Sequence, residues 1–581
     1  MKRDYRIQPP QKSVGENVSD YLEAVGEHLV SLKGVWPSAS DYAGLRTSWA
    51  KDLMAGLTVG IVALPLALGF GVASGAGAAA GLVTAIIAGL VAAVFGGSHL
   101  QVSGPTGAMT VVLLPVVATY GVGLIPLLAL MAGLLVVAMG VFGLGRSVDL
   151  IPHPVVEGFT AGIGIIIGLQ QLPLVLGTPM AESESTLAAS WLILRATDWS
   201  AAIAPLIVTG LVVAIHLAGR WLFPRLPISL IAIIAATVLV ELTALDAARI
   251  GALPAGLPAP ALPAFEWDTA RALIPPAIAV AALAALESLL SARVADGMVP
   301  DRPRTHPDRE LIGQGLANVA SGLFGGLPAT GAIARTAVNV RAGGRTRLAS
   351  VFHALVLLGV MLLLGSVVAR IPMAALGGVL LVTAVNMVNP RTVGSILRTT
   401  RADRNTFIIT LLATVFLDLV MAVLLGMAMA AVMSLRHMAS YTVVRRQFLP
   451  ADTREGVIDF SPAQEYLRDR VAVYRLDGAL FYGNANRFVD EVTSVPDVDV
   501  VIIRLHRMSI LDASGAEAIK DTVRRLRRRG IDVVAQGMTD AQLRTAAVVD
   551  ALDADVHVVE LSQAIARAAA IVTERDASIK P

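Results

Sequence analysis

The sequence predicts a polytopic α-helical membrane protein followed by a smaller soluble α/β domain, and three observations carry that prediction. Of the 581 residues, 55% are hydrophobic and 15% charged, and the mean hydropathy is +0.69, too apolar for a chain whose whole surface meets water. Two hydrophobic segments, Pro105 to Val112 and Thr330 to Val338, echo one another about half the chain apart, and each sits where Pro and Gly interrupt an apolar run. Composition changes abruptly after Arg436, where long apolar runs give way to short alternating elements.

Residues 1–50 read as an N-terminal cytoplasmic segment with an amphipathic helix near Val18 to Leu32, without the continuous apolar core of a cleavable signal. Residues 51–437 read as the transmembrane part. Its apolar blocks, 53–140, 154–176, 201–245, 272–293 and 348–436, each hold one or more spans of about 20 residues. Basic residues in short loops mark the cytoplasmic side: Arg46 and Lys51, Arg146, Arg220 and Arg225, Arg293, Arg302, Arg304 and Arg309, then Arg341, Arg345 and Arg347, and finally Arg391, Arg398, Arg401 and Arg404. Intervening connections are nearly uncharged, as at 73–80, or acidic, as at Glu182 and Glu184. This alternation predicts about fourteen spans across the plasma membrane with both termini cytoplasmic. The net charge of +2 decides nothing, and the absence of cysteine excludes disulfides and thiolate metal sites.

After a linker at 438–456, residues 457–575 read as a soluble domain. Val471 to Leu476, Asp499 to Arg504 and Asp532 to Ala535 have strand character, and Ala516 to Arg528 has helical periodicity. Alternation of this kind predicts an α/β sandwich. Asp512 and Ser514 both suit the cap of that helix. The run Arg524 to Arg529 reads as the solvated face of an amphipathic helix, and no nucleic-acid partner is expected.

A membrane-embedded backbone gives up helical hydrogen bonds only where protein or a watery cavity replaces them. Ser103-Gly-Pro-Thr-Gly107 and Gly325-Gly-Leu-Pro-Ala-Thr-Gly331 are such interruptions. Broken segments at corresponding places in two halves are the signature of an inverted-repeat carrier with its site near the bilayer midplane. Two half-helices whose N-termini face each other there build an anion site from backbone N–H groups. Thr106 and Thr330 can cap or donate, and Arg335 lies about one turn inside the second half-helix. An arginine at membrane depth pairs with a transported anion or locks onto a neighbouring carbonyl or carboxylate. Glu287, inside the apolar run 281–292, is the second costly residue. Ser291 shares its helical face, and the two are candidates for holding a hard cation such as sodium; Glu287 alone can carry a proton, or pair structurally with Arg335. Asp418 is a weaker candidate that can reach the interface.

The chain also resembles a known family. Asp52-Leu-Met-Ala-Gly-Leu-Thr-Val59, Ala63-Leu-Pro-Leu-Ala67, Phe95-Gly-Gly-Ser98, Gln101-Val-Ser-Gly-Pro-Thr-Gly107, Val294-Ala-Asp296, Arg309-Glu-Leu-Ile-Gly-Gln-Gly315, Arg335-Thr-Ala-Val-Asn339 and Ala342-Gly-Gly-Arg-Thr346 follow in order the motifs of the sulfate permease (SulP) family, whose members carry a C-terminal STAS domain. The resemblance implies a seven-plus-seven inverted repeat with broken third and tenth helices, divided into a core that carries substrate and a gate that contacts the bilayer and a partner subunit, and an elevator-like movement. It implies an anion site formed by Phe70, by Thr106, Gly107 and Ala108, and by Gly331, Ala332, Ile333 and Ala334, with Arg335 beside them. Glu287 and Ser291 match the acidic and hydroxyl pair that binds sodium in the bicarbonate-transporting branch, although that branch often has Asp where this chain has the longer Glu, so proton coupling remains an alternative. Leu66, where many sulfate-transporting members have Gln, tilts the substrate toward bicarbonate, with sulfate next. Ala334 lacks a hydroxyl that some members carry. In the tail, Ser514 matches the phosphorylatable serine of related STAS proteins, with a plain helix cap as its alternative role, and the domain implies a homodimer or a regulatory contact.

These readings imply a secondary active anion transporter with no cofactor beyond sodium as a coupling ion. A proton-coupled C4-dicarboxylate carrier and an anion-responsive sensor or channel signalling through the STAS domain are the alternatives. No nucleophile, acid and base set suggests an enzyme, and no GxxxxGK[ST] loop suggests ATP-driven transport.

Overall fold

In chain order the main helices of the apolar region are α1 (Leu45–Ala73), α2 (Ala78–Phe95), α3 (Gly107–Tyr120), α4 (Ile125–Val141), α5 (His153–Gln170), α6 (Ile203–Leu222), α7 (Ile228–Thr243), α8 (Ile274–Met298), α9 (Pro307–Leu323), α10 (Ile333–Arg341), α11 (Leu348–Leu363), α12 (Met373–Met387), α13 (Arg401–Phe416) and α14 (Leu419–Tyr441). The computed structural model describes residues 45–579 apart from 147–150, 181–182, 184, 224–225, 244, 301–303, 418, 442, 448–465, 496 and 553–555. The helix expected near Val18 to Leu32, and Glu182, Glu184, Arg225, Arg302 and Asp418, lie outside the described residues.

Among the described residues, seven helices are long and apolar enough to cross a membrane, and five shorter apolar helices accompany them. The sequence predicts about fourteen spans, and the Pro and Gly breaks that define the site explain part of the difference. Helix α3 starts only after Pro105, and α10 has nine residues, too few to cross a hydrocarbon core about 30 Å thick. The break before each is closed by a two-stranded antiparallel pair, β1 (Ser103–Gly104) with β2 (Thr330–Gly331), in which Ser103 faces Gly331 and Gly104 faces Thr330. This pairing satisfies backbone groups that would otherwise be orphaned at membrane depth.

Small residues bring the helices together. A Cβ at Gly133 on α4 would sit 2.7 Å from the Gly315 carbonyl oxygen on α9, and one at Gly315 would sit 2.7 Å from the Gly133 carbonyl oxygen. Such contact of backbone on backbone is how membrane helices pack without a hydrophobic driving force. Polar locks supplement it. Asp52 on α1 accepts the N–H groups of Arg345 and Thr346, at 2.6 and 3.0 Å, and the hydroxyl of Thr346 at 2.7 Å, fixing the turn between α10 and α11. Arg347, expected as a cytoplasmic loop charge, is instead 1% exposed and donates to the carbonyl oxygens of Ala93 and Gly96 at the end of α2, where those terminal carbonyls need donors.

The chain divides into two compact units, with the second running from Ala431 onward. Its sheet has five strands in the order β3 (Val443–Gln447), β4 (Val471–Leu480), β5 (Val500–Leu511), β6 (Asp532–Gln536) and β7 (His557–Val558), parallel except for β3. Helices α15 (Ala485–Thr493), α16 (Ala513–Arg528) and α17 (Asp540–Val548) contribute to the core on one face, and α18 (Leu561–Ile579) covers the other. The α/β character is as the sequence predicts. Strands β4 and β5 run on to Leu480 and Leu511, and β3 lies within the stretch predicted as a linker, because an edge strand is specified by its partner as much as by its own pattern. Arg575 on α18 fastens the helix to the sheet by ion pairs to Asp499 at 3.1 Å and Asp532 at 2.6 Å.

Candidate functional site

Glu287 lies just past the middle of α8, beside the β1–β2 pair. Its Oε2 accepts a hydrogen bond of 2.7 Å from the hydroxyl of Thr106 and another of 2.7 Å from that of Thr330. Thr106 occupies the N-cap position of α3, yet its hydroxyl does not turn back on its own helix. The capping role the sequence allows both threonines is therefore not the one they take: the cap of α10 is Ala332 and not Thr330, and Thr106 gives its hydroxyl to the carboxylate, the more demanding acceptor at membrane depth.

Two other N–H groups expected in the anion cradle are already engaged. The Gly331 N–H donates to Ser288 Oγ at 3.0 Å, and the Ala332 N–H donates to the Val102 carbonyl at 2.9 Å. The first-turn N–H groups of α10, from Ile333 to Arg335, have no partner within the helix, and Ile333 and Ala334 are exposed. At α3 the corresponding start is covered. Gly107 and Ala108 are buried, and a methyl group added at Gly107 would collide with Cδ1 of Ile167 on α5 and lie 3.2 Å from Cε1 of Phe70 on α1. The sequence singles out Phe70 and not Ile167, since one aliphatic residue among Ile165, Ile166 and Ile167 carries no local mark of its position.

Arg335 is 1% exposed. Its Nη2 donates to the Pro105 carbonyl at 2.6 Å, and its Nη1, which lies against Gly104, has no hydrogen-bond partner. It thereby locks onto a carbonyl of the broken segment, and no ion pair within 4.0 Å joins it to Glu287, whose two hydrogen bonds come from threonine hydroxyls. A guanidinium with one unused donor arm is a group that can still meet an anion.

Ser291 shares a face with Glu287 but turns elsewhere. Its Oγ lies 3.0 Å from Thr336 Oγ1, which also accepts the Val102 N–H at 3.0 Å. The structure therefore gives Glu287 the partners Thr106 and Thr330 rather than Ser291. The polar side-chain atoms of Glu287, Thr106, Thr330 and Ser291 are all oxygens, the type a hard cation takes, and among the described residues no group of three or more His, Asp or Glu side chains gathers as a metal site. Gln101, buried beside Gly331 with neither amide atom hydrogen-bonded, is a further polar group at the cradle; its sequence signal is its place at the head of the Gln101-Val-Ser-Gly-Pro run.

In the second unit Ser514 is exposed in the first turn of α16 and is not the cap. Asp512 is: its Oδ1 accepts the Gly515 N–H at 2.7 Å, and its Oδ2 accepts the Tyr482 N–H at 3.2 Å. The residue before the helix has the extended backbone that aims a side chain at the free N–H groups, whereas Ser514, inside it, points outward.

Comparison with known proteins agrees with this architecture. Residues 49–410 match the sulfate permease family and residues 463–564 the STAS domain. YvdB of Bacillus subtilis (strain 168), which carries a sulfate transporter's name, is 32% identical over 498 residues, 84% of this chain and 91% of that protein. The bicarbonate transporter BicA of Synechocystis sp. strain PCC 6803 is 32% identical over 511 residues, 84% of this chain and 88% of BicA. The structure of the murine Solute Carrier 26 family member A9 anion transporter in its inward-facing state superposes over 97% of both chains with a TM-score of 0.77 at 17% identity, a likeness of fold.

Proposed function

The chain belongs to the sulfate permease family of anion transporters, and from that premise we propose that it moves a small inorganic oxyanion, bicarbonate first and sulfate next, across the plasma membrane by an elevator movement coupled to sodium or protons. Like its relatives it is a transporter and not an enzyme. The observation that carries the coupling is the position of Glu287, held by a threonine from each broken segment. An ionised carboxylate beside two helix N-termini opposes the entry of an anion. A proton or a cation on Glu287 removes that opposition, so anion and cation load together. Sodium would be held by the Glu287 carboxylate with lone pairs of the Thr106 and Thr330 hydroxyls, and by Ser291 only if it releases Thr336.

The anion itself would lie at the open start of α10, facing Ile333 and Ala334, with Arg335 Nη1 as its charged donor. Phe70 and Ile167 over Gly107 form the lid at the α3 side, which suits a small anion better than a C4-dicarboxylate. Identity to BicA and the apolar Leu66 support bicarbonate.

Helix pairings support the seven-plus-seven repeat and the elevator division. Helix α1 packs on α11 as α8 packs on α4, α4 packs on α9 as α11 packs on α2, and α5 packs on α13 as α12 packs on α6, which is the pattern of two repeats related by a shift of seven helices. On this reading α1–α4 and α8–α11 form the core, α5–α7 and α12–α14 the gate, both termini are cytoplasmic, and the STAS domain serves a homodimer or regulation. The deciding experiment is uptake of labelled bicarbonate, sulfate and succinate into proteoliposomes, with and without a sodium gradient and at two external pH values. Sodium- or acid-stimulated uptake of an inorganic anion is expected; uptake of succinate alone, or passive flux without a cation dependence, would overturn the reading.

A further inference from the structure

Helix α9 carries the buried polar side chains Glu310, Gln314, Asn318 and Ser321 at steps of four, four and three residues, so that they share one face. Each of them holds a broken segment or the chain leading into it. Glu310 Oε2 accepts the N–H groups of Gly97 and Ser98 at 2.8 and 2.9 Å. Gln314 Nε2 donates to Ser103 Oγ in β1 at 2.5 Å and to Glu310 Oε1 at 2.9 Å. Ser321 donates its hydroxyl to the Leu327 carbonyl at 2.6 Å.

Asn318 makes the fullest contact. Its Oδ1 accepts the Ala329 N–H at 2.7 Å, and its Nδ2 donates to the Ala329 carbonyl at 2.9 Å and to the Gln314 carbonyl at 2.8 Å. One side-chain amide thus meets both backbone groups of a single residue, as the facing residue of an antiparallel strand does. The pattern admits one orientation of the amide, because reversal would set donor against donor and acceptor against acceptor.

These bonds end close to the two threonines that hold Glu287. Ala329 immediately precedes Thr330, and Ser103 stands three residues before Thr106. Both segments are therefore anchored on adjacent turns of one helix, with Gln314 and Asn318 about 6 Å apart along its axis at 1.5 Å rise per residue. Satisfying backbone groups at membrane depth requires only some partner for each; a common helix beneath both segments adds a fixed separation between them. A hydrogen bond weakens steeply when its geometry departs from the optimum, so that separation governs how well two hydroxyls converge on one carboxylate oxygen. We propose that Gln314 and Asn318 are positioning residues for the coupling site, acting through Thr106 and Thr330 respectively to set the affinity of Glu287 for its cation. The inference rests on the reading of Glu287 as the coupling carboxylate.

Uptake into proteoliposomes, titrated with the cation that stimulates the wild type, separates affinity from rate. Asn318→Leu, similar in shape and unable to bond to Ala329, should raise the half-saturating cation concentration about tenfold while the maximal rate is retained. The shift should vanish in a Thr330→Val background and persist in Thr106→Val. Ser103→Ala removes one small hydroxyl and leaves Gln314 bonded to Glu310; it should raise the half-saturating concentration about threefold, and this shift should vanish in Thr106→Val. A lower maximal rate with unchanged half-saturation, or a shift for Asn318→Leu that stays additive with Thr330→Val, would make α9 a structural support alone and overturn the proposal. Should Asn318→Leu fail to fold, Ser103→Ala decides, and a half-saturation unmoved in that variant overturns it. Wild-type uptake with no cation dependence would instead overturn the coupling reading of Glu287, and this inference with it.

Discussion

The hydroxyls of Thr106 and Thr330, from opposite halves of the chain, each lie 2.7 Å from one oxygen, Oε2 of Glu287. The two broken segments are thereby joined through an acidic side chain as well as through the β1–β2 pair. A change in the charge of Glu287 is felt at the starts of both half-helices at once.

Thr106→Val and Thr330→Val should each lower coupled uptake by roughly ten- to a hundredfold, the cost of about 1.5–3 kcal/mol for removing a donor to a charged group. In a Glu287→Gln background, where uptake has lost its dependence on sodium or on acid, the same substitutions should add little. Initial rates from the full set of single and double variants measure the coupling; additive losses would show that the threonines act on the anion and not through Glu287.

Arg335→Ala should abolish saturable anion uptake while the protein still folds and elutes as the wild type does. Arg335→Lys should recover only part of it, since an ammonium cannot hold the Pro105 carbonyl and an anion with the same fork. Wild-type kinetics in Arg335→Ala would remove the arginine from the site.

In the STAS domain, Asp512→Ala should lower stability by about 1 kcal/mol, the usual worth of a helix cap, whereas Ser514→Ala should leave the melting temperature unchanged. A phosphomimetic or phosphorylated Ser514 can therefore be studied as a change in charge at the α16 N-terminus without loss of the cap. Thermal unfolding of the three proteins is the check.

His557 accepts a hydrogen bond from the Met538 N–H through Nε2 at 3.2 Å, and burial holds its imidazole below its ordinary value. The proton is thus bound more readily by the unfolded chain than by the folded one. Stability of this domain should be full above the ordinary imidazole value near 6.5 and fall as the pH is lowered from there toward the depressed folded value. His557→Asn should flatten that slope in thermal unfolding followed across pH; an unchanged slope would place the titrating group elsewhere.

Much of this protein is legible along the chain. Hydropathy, the two Gly- and Pro-broken segments and the change of composition after Arg436 are properties of contiguous sequence, and they give the membrane class, the facing half-helices and the α/β tail. Glu287 and Arg335 stand out because ionisable residues are costly in an apolar run. What each side chain holds was decided only by the tertiary structure. Ser291 shares a helical face with Glu287 and yet bonds to Thr336, Gly331 gives its N–H to Ser288, and Ile167 arrives over Gly107 from another helix. Spacing along one helix fixes which residues share a face, but a hydrogen bond goes to the nearest competent partner, and at this site the partners come from segments brought together by the crossing of α8 with the β1–β2 pair.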